Sequence, residues 1–309
     1  MTRPFRFAVQ EHHAATADDW AVTARRIESL GYSTLYLPDH FSEQLGVFGA
    51  LTAAAGATEK LRVGTLVFDN DYRHPAVLAK EVATLDVLSN GRLDFGLGAG
   101  WERSDYDATG IPYDPPGLRI DRMLEALQIC RGLFGDGPFS FEGKHYRITE
   151  LDGKPKPVQK PLPLLLGGGA KRMLTIAGRE ADIVNVNFNL AHGAVSSELV
   201  LTGTAEQTDE KMAWVKEAAG DRFDQVELSV LIFLCNITND RRAMAEPVAA
   251  ALGTTPEVVL DIPHFLMGTV DEIAETLEQR RERYGLSYVI VQGEAAEPFA
   301  PIVERLAGR

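Results

Sequence analysis

Eight short apolar segments, each followed by a helical pattern, constrain the fold of this chain more than any other feature. Most are continuous runs of aliphatic and aromatic residues, which is typical of strands buried on both faces of a parallel sheet. The predicted strands span residues 5–9, 34–37, 61–66, 93–97, 164–166, 183–186, 226–237 and 288–291. Eight strand–helix units favour a closed α/β barrel, the (β/α)8 or TIM barrel.

The chain length fits one such barrel with insertions. Of the 309 residues, a TIM barrel uses roughly 250, which leaves about 60. We expect a single domain over residues 1–309 with insertions at about 105–117, 139–163 and 187–209. The first is an irregular polar stretch, and the second begins with a small hairpin. The third mixes apolar with small polar residues, which suits either a mobile lid over an apolar substrate or a dimer contact.

Two glycine-rich turns follow the fourth and fifth predicted strands. They contain Gly98, Ala99, Gly100 and Trp101, and then Gly167, Gly168 and Gly169. Glycines allow backbone N–H groups to approach a ligand closely. The first turn is not a Rossmann fingerprint, since no helix follows its last glycine at once. The second leads into a helix beginning near Ala170-Lys171-Arg172, where a phosphate is favoured. The alternative is that these glycines only relieve crowding in a barrel or a tight turn.

Candidate catalytic side chains also follow strands. If the fold is a barrel, Asp39 and His40 lie on the same rim as the glycine turns, where TIM-barrel active sites are built. His40 is the acid–base candidate because histidine titrates near neutrality. Adjacent residues of an extended segment point in opposite directions, so Asp39 need not pair with His40.

Other chemistries lack suitable residues. His12 and His13 are adjacent and do not form a His-x-His metal pair, so no metal site is expected. The chain has no Gly-x-Ser-x-Gly nucleophile turn, and neither Cys130 nor Cys235 ends a strand. Both cysteines lie in apolar stretches, where reduced, packed thiols are expected. A bound organic cofactor is therefore favoured.

The formal net charge of −13 argues against nucleic acid or an anionic membrane as a partner, because either would require a basic face. No charged-then-apolar leader precedes the first strand, and nowhere do 18 apolar residues run together. We expect a cytoplasmic protein whose partner is a small-molecule substrate.

Six stretches carry a family resemblance along nearly the whole chain: 35–40, 61–65, 74–80, 89–101, 165–173 and 268–274. In order and spacing they resemble the luciferase-like monooxygenase superfamily. Within it, the chain is most similar to the actinobacterial oxidoreductases that depend on the deazaflavin coenzyme F420.

The resemblance implies a TIM barrel that holds the cofactor ring in a cavity at the rim, with its phosphate near both glycine turns. It also implies a non-proline cis peptide behind the ring, at Leu66-Val67. Asp39 and His40 match the pair next to the ring, with the histidine as proton donor or acceptor. Sugar-phosphate dehydrogenases of this family place a tryptophan soon after that pair. Here the stretch 41–44 has none, which argues against such a substrate.

The sequence therefore predicts an F420-dependent oxidoreductase that transfers a hydride between the deazaflavin C5 and a small organic substrate. One alternative is a monooxygenase of the same fold that uses reduced FMN. A second is a flavin-binding barrel without catalysis, acting as a carrier or structural partner. Members of the family commonly dimerise, so a homodimer is expected.

Overall fold

The computed structural model describes residues 3–194 and 196–309. Within these ranges it has thirteen strands: β1 (Arg6–Gln10), β2 (Thr34–Leu37), β3 (Arg62–Thr65), β4 (Phe68–Asp69), β5 (Leu93–Gly98), β6 (Phe139–Glu142), β7 (Arg147–Leu151), β8 (Leu164–Gly168), β9 (Ile183–Val186), β10 (Glu227–Ile232), β11 (Leu234–Ile237), β12 (Phe265–Gly268) and β13 (Leu286–Gln292). The same ranges contain twelve α-helices: α1 (Ala17–Ser29), α2 (Val47–Ala57), α3 (Pro75–Leu88), α4 (Arg103–Thr109), α5 (Pro116–Phe134), α6 (Lys171–Glu180), α7 (Ser197–Leu201), α8 (Ala205–Ala219), α9 (Arg241–Leu252), α10 (Pro256–Asp261), α11 (Val270–Tyr284) and α12 (Ala296–Leu306).

Eight parallel strands close into a barrel. The hydrogen-bonded order is β3-β2-β1-β13-β10-β9-β8-β5, and pairing of β3 with β5 completes the ring. Strands β1, β2, β5 and β10 are almost entirely buried, as continuous apolar runs require. The predicted TIM barrel is confirmed.

The barrel interior is filled near the starts of its strands by an ionic cluster. Asp94 of β5 bonds Arg6 of β1 and Arg62 of β3, each at 2.6 Å, and accepts a hydrogen bond from Tyr36 at 3.0 Å. Tyr288 donates to the Tyr36 hydroxyl at 3.0 Å. These side chains occupy one end of the barrel, so a ligand site belongs at the other end, where the strands finish.

Two predicted strands are divided in the structure. The predicted strand 61–66 ends at Thr65, and after a cis peptide bond at Leu66-Val67 the chain pairs again with β5 through β4. The predicted strand 226–237 was too long: only β10 belongs to the barrel, while β11 pairs with β12 in a separate two-stranded sheet. Both breaks lie inside continuous apolar runs. The sequence did not reveal them because a change in the direction of the chain does not alter hydropathy.

The predicted insertions contain more regular structure than expected. The stretch 105–117 is not irregular throughout, since α4 covers its start and ends at Gly110, whose φ is +75°. The hairpin in 139–163 is confirmed as antiparallel β6 and β7. In 187–209 the structure places a short 3-10 helix, α7 and the first turn of α8.

A fourth insertion, residues 233–268, escaped the sequence reading. It contains β11, α9, α10 and β12, and it packs against the 187–209 segment around a second apolar core. That core consists of Phe188, Leu199, Ala245, Ala249, Val259, Ile262, Phe265 and Met267. No helix of the described ranges has the length and apolarity to cross a membrane.

Candidate active site

One cleft at the carboxyl ends of the barrel strands brings the predicted site residues together. Its empty space is about 1060 Å³, including its open mouth. All eleven predicted residues line it: Asp39, His40, Leu66, Val67, Gly98, Ala99, Gly100, Trp101, Gly167, Gly168 and Gly169. They come from the ends of β2, β3, β5 and β8, which the barrel places side by side.

His40 is oriented by a residue that the sequence reading placed in an insertion. Its Nδ1 lies 2.6 Å from Oδ2 of Asp105, on α4. The same carboxylate accepts hydrogen bonds from the Phe41 backbone N–H at 3.1 Å and from the Tyr72 hydroxyl at 3.2 Å. Trp101 meets the imidazole edge to face, with ring centroids 5.7 Å apart. Because an ionised carboxylate only accepts hydrogen bonds, Nδ1 carries the proton, and Nε2 is the nitrogen left for exchange.

Asp39 pairs with Arg73 and not with His40. The two guanidinium nitrogens lie 2.5 and 3.0 Å from its carboxylate oxygens, and the Asp69 backbone N–H adds a bond at 3.1 Å. The guanidinium also lies 5.3 Å from the centre of the Phe68 ring. Asp39 therefore anchors the end of β2 to the segment after β3.

The cis peptide predicted from the family resemblance is confirmed at Leu66-Val67. Both residues line the cleft. Gln10, at the end of β1, donates to the Leu66 carbonyl at 3.2 Å. Leu66 and Val67 thus form an apolar surface of the cleft, and Val67 lies directly against Gly98 of the first glycine turn.

Packing requires glycine at most positions of the two turns. A Cβ at Gly98 would lie 2.5 Å from the Val67 side chain, and one at Gly100 would meet the Tyr106 hydroxyl. A Cβ at Gly169 would collide with the Phe188 carbonyl, whereas at Gly167 it would find ordinary contact distances. Of the two explanations, relief of crowding and close approach of a ligand, relief of crowding therefore accounts for Gly98, Gly100 and Gly169.

The cation in the cleft is Arg119 of α5, which the sequence reading missed. It is 2% exposed and lines the cleft. Its guanidinium donates to the carbonyls of Gly100 at 2.5 Å and Asp114 at 2.9 Å, and lies 4.4 Å from the Tyr113 ring centre. The only sequence signal was an arginine directly before an apolar helix face.

The cations proposed at the second glycine turn point elsewhere. Arg172 bonds Asp121 at 2.5 Å, and the Lys171 ammonium lies 5.9 Å from the Trp214 ring centre. The helix α6 itself begins after Ala170, which makes no side-chain cap bond. Its first N–H groups are thus not capped by a side chain.

One wall of the cleft is apolar, and we call it the aromatic wall. It comprises Phe188, Leu190 and Leu231. Phe188 stacks on Phe233, with ring centroids 5.2 Å apart, and its ring also meets the tilted ring of His264 at 4.2 Å.

Two buried basic groups support this wall from behind. Lys211 donates to the carbonyls of Asn187 and Thr202, both at 2.7 Å, and burial lowers its pKa to about 8. His264 bonds the Leu231 carbonyl at 2.8 Å, and burial lowers its pKa to about 3. Lys211 and His264 thus hold the backbone next to the aromatic wall. Burial makes both side chains weaker bases than usual.

Both cysteines are free thiols, as expected. Burial raises the pKa of Cys130 to about 12 and that of Cys235 to about 12. Neither lines the cleft.

Comparison with known proteins gives sequence relatives of two kinds. The FMNH2-dependent dimethylsulfone monooxygenase of Pseudomonas putida is 28% identical over 235 residues, which is 75% of this chain but only 60% of that protein. The 5,10-methylenetetrahydromethanopterin reductase of Methanopyrus kandleri is 26% identical over 292 residues, or 88% of this chain and 78% of that protein. The chain thus spans less than two thirds of the first relative's length.

A solved structure shares the fold over nearly the full chain. The coenzyme F420-dependent tetrahydromethanopterin reductase of Methanopyrus kandleri superposes with a TM-score of 0.78 at 19% identity, covering 98% of each chain. The family model described as luciferase-like monooxygenase matches residues 1–288. With its barrel, its rim cleft and this match, the chain belongs to the luciferase-like monooxygenase family.

Proposed function

We propose that this protein is an F420-dependent oxidoreductase that transfers a hydride between the deazaflavin C5 and a small organic substrate. The observation that carries this proposal is the His40–Asp105 pair at 2.6 Å on the wall of the rim cleft. A histidine held in one tautomer by a carboxylate is suited to exchange one proton with a bound substrate.

The cleft fits a cofactor of this kind. It lies at the carboxyl ends of the barrel strands, where TIM-barrel ligands bind, and it combines apolar walls with a few polar groups. Leu66 and Val67 offer an apolar surface to a ring, while Arg119 and the uncapped start of α6 favour an anionic group. Bound there, the deazaflavin would supply the two-electron hydride chemistry.

The chain's own residues would manage the accompanying proton. When a substrate hydroxyl is oxidised to a carbonyl, its oxygen loses a proton, which His40 accepts at Nε2. In the reverse direction the same nitrogen donates it. Asp105 keeps the imidazole in the required tautomer, and the aromatic wall excludes water from the substrate.

The preference for F420 over FMN rests on the relatives. The Methanopyrus reductase aligns over 88% of this chain and 78% of its own length, against 75% and 60% for the Pseudomonas FMNH2-dependent monooxygenase. The Pseudomonas monooxygenase is nevertheless 28% identical to this chain, so a reduced-FMN monooxygenase is the second candidate.

We also propose that residues 1–309 act as one barrel domain, in a cytoplasmic homodimer with a small molecule as substrate. The formal charge of −13 supports the choice of partner, since nucleic acid and anionic membranes require a basic face.

Titration with F420 and, separately, with FMN tests the cofactor assignment. Tryptophan fluorescence reports binding because Trp101 lines the cleft, whereas Trp20 is buried under α2 and Trp214 lies on α8. We expect F420 to quench fluorescence with micromolar or tighter affinity and FMN to bind weakly.

The Trp101→Phe variant is the matched control, and it should lose most of the quenching while it still binds F420 by calorimetry. Tighter binding of FMN would favour the monooxygenase. If neither cofactor binds, both candidates are wrong.

A further inference from the structure

Among the described residues, two carboxyl groups line the cleft, those of Asp39 and Asp69, and three more belong to residues that contact the lining, namely Asp71, Asp105 and Asp114. Four of these five bond a cationic or ionisable basic side chain. Asp39 bonds Arg73, Asp105 bonds His40, and Arg122 bonds both Asp71 and Asp114 at 2.7 and 2.5 Å. Asp69 is the fifth. Among residues 3–194 and 196–309, no cation lies within 4 Å of its carboxylate. It is 6% exposed and lines the cleft.

The hydrogen bonds of Asp69 leave a place for a proton. Its carboxyl group accepts from the Asp71 backbone N–H at 2.8 Å, and the Tyr106 hydroxyl lies 2.9 Å from its Oδ2. The same hydroxyl lies 3.2 Å from an oxygen of Asp71. One hydroxyl proton cannot serve two carboxylates. The cluster is also fully hydrogen-bonded when Asp69 is protonated, because Asp69 then donates to the Tyr106 oxygen and Tyr106 donates to Asp71.

The charged groups around Asp69 also favour a proton there. Asp39 and Asp71 are both close enough to raise the pKa of Asp69, while the Tyr106 hydroxyl bond lowers it, and with burial as the main cause the value reaches about 7. On α5, Arg119 is bonded to backbone carbonyls and Arg122 is held by two other aspartates. Arg73, from the loop before α3, is held by Asp39.

Asp69 lies directly against the first glycine turn. A Cβ at Gly100, whose φ is +74°, would touch its carboxylate oxygens. An anion held by this turn would therefore add a negative charge close to a carboxyl group that lacks a cation. Coulomb repulsion makes the protonated form of such a group more favourable.

We propose that Asp69 forms part of the binding site for an anionic group at the Gly98–Gly100 turn as a neutral carboxylic acid, and that anion binding is coupled to uptake of a proton by Asp69. The inference rests on the proposed function in that the anion is taken to be the phosphate group of the cofactor. By linkage, affinity for the anion falls as the pH rises through neutrality.

Calorimetric titration with F420 at pH 7, in buffers of different ionisation enthalpy, measures the protons taken up on binding. We expect uptake of up to about half a proton per site by the native protein, since a group with a pKa near the working pH is already half protonated. From pH 6 to pH 8, affinity should fall about tenfold.

The Asp69→Asn variant should lose both effects. Asp271→Asn, at an exposed aspartate on α11, is the matched control and should behave like the native protein. Protons that the cofactor itself takes up or releases are the same for every variant, so they cancel when proton uptake is compared between variants. Equal proton uptake by native protein and Asp69→Asn would overturn the inference.

A second variant and a second anion keep the test decisive. If Asp69→Asn does not fold, Tyr106→Phe takes its place, and it should move the pH of maximal uptake upward because it removes a hydrogen bond that favours the ionised carboxylate. If neither F420 nor FMN binds, the proposed function fails. The inference is then judged with sulfate, a dianion that does not titrate near neutrality. Absence of sulfate-linked proton uptake in the native protein would overturn it.

Discussion

The two sides of the cleft hold their buried ionisable groups in opposite ways. After β2 and β3, aspartates pair with Arg73 and His40 through short side-chain contacts. Behind the aromatic wall, after β9 and β10, Lys211 and His264 bond only backbone carbonyls among the described residues. A charge that is paired keeps its ionised form, whereas one that meets only carbonyl dipoles is more costly to bury.

The side with paired charges therefore serves the proposed chemistry, whereas the buried groups behind the aromatic wall affect stability. The paired side can hold an ionised carboxylate beside a proton-exchanging imidazole. On the aromatic side, burial lowers the pKa values of Lys211 and His264 to about 8 and about 3, so their protonation affects mainly how the folding free energy depends on pH. Substitutions on each side of the cleft test this division.

Replacing His40 by Gln should abolish the proposed proton exchange. Loss of a general acid or base typically lowers kcat by about 10²–10⁴-fold. Steady-state turnover with F420 would measure it, after circular dichroism and cofactor titration have shown a folded, binding-competent variant. His13→Gln, at an exposed residue after β1, is the control and should retain native turnover. Full activity of His40→Gln would contradict the assignment of chemistry to the paired side.

Replacing Arg73 by Met should leave the Asp39 carboxylate, 6% exposed, without its cation. Breaking a buried pair in this way costs about 3–5 kcal/mol of the free energy of unfolding. Urea denaturation at pH 7 would measure it. The double variant Arg73→Met with Asp39→Asn should recover part of the loss, because no charge is then left unpaired. Equal stability of the native protein and the single variant would show that the pair is not needed.

Acid should destabilise the native protein more than the His264→Asn variant, whose amide can still donate to Leu231. The folded-state pKa of His264 is lowered from 6.5 to about 3. As the pH falls below 6.5, the unfolded chain binds a proton that the folded chain does not, so stability is lost. Between pH 6.5 and pH 4 the difference amounts to about 3 kcal/mol. Urea denaturation measures the free energy of unfolding at each pH. Equal losses for the native protein and the variant would contradict this view of the aromatic side.

Lys211 should give a pH dependence of the same sign as His264, but at the alkaline end. Its pKa is lowered from 10.5 to about 8 in the folded state. Between these values the unfolded chain binds more protons, so the native protein gains stability as the pH rises. Relative to Lys211→Met, we expect a gain of about 2 kcal/mol from pH 8 to pH 9.5. Urea midpoints at the two pH values would show it, and a constant difference between the proteins would refute it.

The residues that sequence reasoning found are those with a local signature. Asp39, His40 and the glycine turns were predicted because they directly follow apolar strands, and a barrel gathers all strand ends at one rim. The partners of these residues had no such signature. Asp105 is 65 positions from His40, and Arg73 is 34 from Asp39. Asp69 looked like one more polar loop residue, and the 233–268 insertion was hidden by an apolar run that continues past the barrel.

The eight-stranded barrel, the hairpin and the positions of the rim residues could be predicted from local sequence patterns, because hydrophobic periodicity and turn glycines act within a few residues of chain. Long-range packing establishes which carboxylate orients His40, which cation enters the cleft, and which carboxyl group lacks a cation. Those outcomes depend on distances between groups far apart in sequence, and on burial, which sets the free-energy cost of each charge.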